Sequence, residues 1–137
     1  MPAQMSEQMS TVNFKRELAM SVEQAIAKIT QTLQAEGFGI LTRIDFHTRM
    51  KEKLGKDMKP LVILGACNPQ LAFEAYSRNA DVTSLLPCNA VVRELENGKV
   101  SVELAKPTAM MTMLGDKNLI ALAADADQRM QKALDAI

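Results

Sequence analysis

The sequence predicts an α+β domain in which a single mixed, largely antiparallel sheet carries helices on one face. Three observations point there. Segments that alternate polar and apolar residues interleave with segments of helical periodicity in the order β-α-β-(short α)-β-α-β-β-α. The last two strand segments flank Glu96-Asn97-Gly98-Lys99, and Asn-Gly between alternating runs is a strong hairpin signal. Finally, Leu61-Val62-Ile63-Leu64 is apolar without interruption, the pattern of a central strand covered on both sides.

Taken in order, residues 1–10 form a polar tail and 11–137 a single domain. TVNF at 11–14 alternates, with Val12 and Phe14 on one side, and reads as the first strand. Ser21 and Gln24 have the spacing of a capping box, so a helix is expected over 21–36. Its buried stripe is Val22, Ile26, Ile29 and Leu33, and Gly37 supplies the left-handed residue that stops it. GILTRIDF alternates next, with Ile40, Thr42, Ile44 and Phe46 expected to face one way.

The stretch from Arg49 to Lys59 holds five basic and two acidic residues on a short helix, a pattern read as a solvated face before an anion site. After the apolar strand, Asn68 suits an N-cap and Pro69 the first helical position, with Leu71, Ala72, Ala75 and Tyr76 as the buried stripe. The hairpin strands NAVVREL and KVSVEL follow, and Pro107 ends the second. A final helix from about Asp116 buries Leu119, Leu122, Ala126, Met130 and Ala133.

Composition narrows the function. The chain has 137 residues, enough to bury an ordinary core without disulfides or metals. Sixteen basic residues balance sixteen acidic ones, and there is no Trp, so neither a positive field nor a set of stacking platforms exists for nucleic acid. The opening residues lack the order of a signal peptide and no apolar run is long enough to span a bilayer, which leads to the expectation of a cytoplasmic protein with no membrane partner. The two cysteines fit neither a redox C-x-x-C motif nor a secreted framework and are expected as free thiols.

Those cysteines carry the most specific feature, an echo between GACNP and LLPCN. Cys67 abuts a helix N-terminus, whose dipole favours a thiolate by about 0.3–1 kcal/mol, and Cys88 enters a strand after Pro87. If the two strands are neighbours, Cys67, Asn68, Cys88 and Asn89 line one pocket, with Asn68 capping its helix and Asn89 facing the ligand or the opposite loop. The plain alternative is that each cysteine is a small buried hydrophobe.

The span from Ile44 through KEKLG, GACNP and LLPCN to Val92 resembles the three-hundred-and-second of the bacterial domains of unknown function, and the likeness extends from about Thr11 to Met113. The resemblance implies an α+β domain similar to the TATA-binding-protein-like fold, of β-α-β4-α type and often a dimer. On it, Cys67, Asn68 and Pro69 take the first motif, Leu86 to Asn89 the second, and Lys53, Leu54 and Gly55 the KLG element. The chain departs from that pattern near Leu61 and Thr83. No established reaction comes with it.

Other chemistry is weaker. His47 with Cys67 and Cys88 would make three soft-metal ligands, but their spacing matches no metal motif. Met110, Met111 and Met113 supply thioethers suited to copper(I), although methionine is commoner as core filler. No nucleophile elbow, phosphate loop or dinucleotide fingerprint is present, and no cofactor is specified. The sequence therefore predicts a module that binds a small ligand or soft metal ion at the two Cys-Asn segments, and weighs against an enzyme. Alternatives are a thiol enzyme in which Cys88 resolves Cys67, and an interaction protein with an inert site. A homodimer is expected in each case, because LVIL is too apolar on both sides to be left wet.

Overall fold

The computed structural model describes residues 12–137, so the expected tail at 1–10 and the Thr11 end of the first strand lie outside the described residues. Five strands, β1 (Asn13–Leu18), β2 (Gly39–Asp45), β3 (Leu61–Cys67), β4 (Cys88–Glu94) and β5 (Val100–Ala105), form one sheet in the order β1-β5-β4-β3-β2. Helices α1 (Val22–Ala35), α2 (Phe46–Leu54), α3 (Pro69–Arg78), α4 (Pro107–Thr112) and α5 (Lys117–Asp135) connect or follow them, with a 3-10 turn at Ala80–Leu85. Every neighbouring pair is antiparallel. The α1 crossover sends β1 and β2 to opposite edges, so the only two consecutive strands that run the same way never meet.

Local chemistry explains the elements. The Ser21 hydroxyl accepts from the Gln24 N–H at 3.1 Å while the Gln24 side chain accepts from the Ser21 N–H at 3.0 Å, starting α1 with a capping box. Asn97-Gly98 turns the hairpin, with Gly98 at φ +82° and the Asn97 side chain accepting from the Lys99 N–H at 3.0 Å. Arg16 points to the helix side of β1, where Nη1 donates to the carbonyls of Leu134 at 2.9 Å and Asp135 at 3.1 Å, closing the end of α5.

One sheet face, built from Val62, Leu64, Val92, Val102 and Leu104, packs on Ile29 and Leu33 of α1 and Met130 and Leu134 of α5. A second, smaller cluster joins Ala75 of α3, Val82 of the 3-10 turn, Met111 of α4, and Leu119 and Ala123 of α5. The face opposite α1 and α5 carries Ile44, Ile63 and Val91 in one row with Glu103 and Lys15. Glu103 is buried there and accepts from Arg93 Nε at 2.7 Å and Ser101 Oγ at 2.9 Å.

Three expectations need correction. A bulge between Ile40 and Thr42 breaks the alternation of β2, so Ile40 packs against the core while Thr42 and Ile44 turn to the other face. Phe46 opens α2 and does not belong to the strand. Tyr76 is 49% exposed, because α3 turns its alanines inward and leaves both aromatics, Phe73 and Tyr76, towards solvent.

Candidate functional site

The site grows from the junction of β3 and α3. Asn68 is buried and its Oδ1 accepts from the Leu71 N–H at 3.1 Å, while Pro69 occupies the first turn, where no N–H is needed. Directly against it lies Gly37, at φ +88° after the end of α1; a Cβ there would come within 2.9 Å of Asn68 Nδ2. Gly37 is thus required twice, for its backbone conformation and for the room its missing side chain leaves. Asn68 Nδ2 lies on the Gly37 side, and among the described residues no buried side-chain nitrogen or oxygen lacks a hydrogen-bond partner.

Cys88 pairs with Ala66 across the sheet, which turns its side chain to the helix side, where it packs on the main core. Asn89, one residue on, pairs with Gly65, is exposed and faces away. A cavity of about 60 Å³ sits where the sheet end meets α3, α4 and α5, and Cys67, Asn68 and Cys88 are in its wall. Phe38, Leu71, Ala75, Met111, Leu119 and Ala123 supply much of the rest, so the lining is almost wholly apolar. Three of the four expected residues share the cavity and Asn89 does not, because adjacent strand residues point to opposite faces.

His47 does not join the cysteines. Its Nδ1 lies 3.0 Å from the Leu61 nitrogen and 3.1 Å from the Leu61 oxygen, at the start of β3, whereas Cys67 ends that strand, about 20 Å away at 3.3 Å per residue. Among the described residues no group of three or more His, Cys, Asp or Glu is placed to hold a metal ion. Of the methionines, Met111 lines the cavity, Met110 packs beside the smaller cluster and Met113 is 64% exposed.

Burial governs the thiols. Desolvation pushes the Cys67 thiol up, and it pushes Cys88 up to about 11, with the negative charges of Cys67 and Asp127 adding to the effect. At Cys67 this direction runs against the thiolate-favouring effect expected of the α3 N-terminus. Asp127 itself is engaged: it accepts from the Thr108 N–H at 2.9 Å and from the Thr108 hydroxyl at 2.6 Å, capping α4. The result is a largely apolar pocket with two thiols and one amide in its wall, in which burial moves both thiols away from the thiolate form.

Sequence reasoning missed the α4 and α5 contributions to this wall. One signal was present: alanines spaced by three at Ala72 and Ala75 on α3 and at Ala123 and Ala126 on α5, all of which line the cavity. Two helices that meet through alanines leave space between them.

A family model described as "Domain of unknown function DUF302" matches residues 14–137. Among solved structures, the chain is similar to an uncharacterized conserved protein DUF302 from Bacillus stearothermophilus, with 33% sequence identity and a TM-score of 0.86 over 93% of this chain and 98% of that one. No curated protein matches the chain. Among the described residues no helix is long and apolar enough to cross a membrane.

Proposed function

The chain belongs to the DUF302 family of domains of unknown function, and on that premise we propose that it is a small-ligand-binding module of the cytoplasm. The observation that carries this reading is the apolar cavity between the sheet end and α3, α4 and α5, with Cys67, Asn68 and Cys88 in its wall. Apolar concavities with few, placed polar groups are the common form of ligand sites. A soft metal has less support, since two thiols lack a third strong donor, and an activated thiol has less still, given the direction in which burial moves both cysteines.

The test is methyl NMR of the full chain with xenon or cyclopentane as an apolar probe. Methyl shifts at Ala75, Met111 and Ala123 are expected to move and saturate. Ala75→Leu, which places a larger side chain in the space, is expected to abolish those shifts while raising the unfolding midpoint. Unmoved methyls in the parent protein at high probe concentration would overturn the reading.

For assembly, a second copy of this chain is proposed to cover the sheet face opposite α1 and α5. There Ile44 is 45% exposed beside Ile63 and Val91, while the neighbouring Glu103 already has Arg93 and Ser101 as partners. That division suits two-fold pairing of the apolar halves, since the charged half asks for no external partner. Sedimentation at micromolar concentration should give about twice the chain mass of 15.0 kDa, and a single species at that mass overturns the dimer.

A further inference from the structure

We propose that the cavity takes a small uncharged molecule that carries no hydrogen-bonding group, a hydrocarbon or a guest of that kind, because the polar groups of its wall are spent elsewhere or too weak to hold one. This rests on the ligand-binding reading and adds the class of ligand. Three helices begin at the space, with Leu71 of α3, Pro107 of α4 and Leu119 of α5 in its wall. Helix starts ordinarily offer free N–H groups to an oxygen or an anion. Here the N–H groups at the wall are taken. The Leu71 N–H donates to Asn68 Oδ1 at 3.1 Å, Pro107 has no N–H to give, the Thr108 N–H donates to Asp127 Oδ1 at 2.9 Å, and the Leu119 N–H donates to Asp116 Oδ1 at 3.3 Å.

The side chains add little. Asn68 is the one amide in the wall, and with its Oδ1 on the Leu71 N–H its Nδ2 lies on the Gly37 side. Among the described residues no buried side-chain nitrogen or oxygen waits for a partner. The two thiols are weak donors and weak acceptors, and the rest of the lining is apolar. A hydroxyl or carbonyl brought into such a space gives up its water and finds no replacement, as on transfer to a hydrocarbon solvent. An anion fares worse, because the carboxylates of Asp116 and Asp127 already close two of the three helix starts. Size argues for a small guest: about 60 Å³, at roughly 10–15 Å³ for each water, is room for roughly four to six waters, or about the bulk of a five-membered carbon ring.

Methyl NMR titration of the full chain with cyclopentane, cyclopentanol and cyclopentanecarboxylate tests the class. Octanol can hydrogen-bond a hydroxyl and a hydrocarbon cannot, so the preference for cyclopentane over cyclopentanol is expected to exceed the ratio of their octanol–water partition coefficients, by about tenfold. The carboxylate is expected to give no saturable shift of a cavity methyl. Cys88→Ser sets a hydroxyl in the wall, as does Ala72→Ser should the first fail to fold, and either is expected to bring the ratio down towards that of octanol. A ratio in the parent protein no greater than that of octanol, a ratio that the serine leaves unchanged, or saturable shifts with the carboxylate overturns this proposal and leaves the cavity reading standing. Shifts with none of the three overturn both.

Discussion

Raising the pH should loosen the fold through Cys88. Its thiol is pushed up to about 11 from an ordinary 9.0, chiefly by burial, so the native protein keeps it protonated where the unfolded chain has already released the proton. The sign follows: the contribution to stability is fully present below about pH 9, declines as the unfolded thiol ionises, and is lost once pH passes the folded value near 11. Two units correspond to about 3 kcal/mol in all, most of which is gone by about pH 10.5. Urea unfolding of the parent protein and Cys88→Ala at neutral pH and at about pH 10.5 isolates the effect, because lysine and tyrosine titrate alike in both. At neutral pH the variant should be the less stable, by about 1 kcal/mol for the lost sulfur, and at the higher pH the gap should close or reverse. An unchanged gap would refute the reasoning. Alkylation rates offer a check on the same thiols: a Cys67 midpoint at or below that of a free thiol, about 8.5, would restore the nucleophile reading.

Two further outcomes follow from the geometry of the sheet end. A Cβ on Gly65 would meet Thr42 Oγ1 and come within 2.8 Å of Pro87 Cγ, so Gly65→Ala should cost about 1–3 kcal/mol in urea unfolding, and an unchanged midpoint would show that β2 and the Pro87 loop yield freely. Asp127→Ala removes both bonds to Thr108, and should cost about 1–3 kcal/mol while easing the alkaline shift of Cys88; a variant that alters neither would remove Asp127 from the account of the site.

How much of this was legible in the chain depends on whether the signal was local. Ser21 with Gln24, Asn68 with Pro69, and Asn97-Gly98 each act through backbone groups two or three residues away, and all three features stand in the structure where the sequence puts them. The β2 bulge was not legible, because an inserted residue is fixed by pairing with β3 and leaves a perfect-looking alternation in the sequence. Helix α4 was hidden for a related reason: Pro107 reads as the end of a strand, and it is also the first residue of a helix whose Thr108 N–H is capped by Asp127, nineteen positions beyond Thr108. Of the site, the two junctions and a pocket between the Cys-Asn segments were legible, and the helix walls of that pocket were not. It needs α3 and α5 to face each other, and no local pattern reports which helices meet.

The phase of α3 decides that there is a cavity at all. Phe73 is 70% exposed and Tyr76 49% exposed, with ring centroids 6.5 Å apart on the outer side, while Ala72 and Ala75 face the space. A helix turned about its axis to bury either ring would fill about 60 Å³ with aromatic carbon. The observed phase is held by Asn68, whose bond to the Leu71 N–H fixes where the first turn begins, and by Gly37, which admits Asn68 against the end of α1. The space between α3 and α5 is walled by Ala72, Ala75, Ala123 and Ala126, and it is this wall on which the proposed ligand binding rests. The residue that sets the phase of the helix thus also lines the space that this phase leaves open.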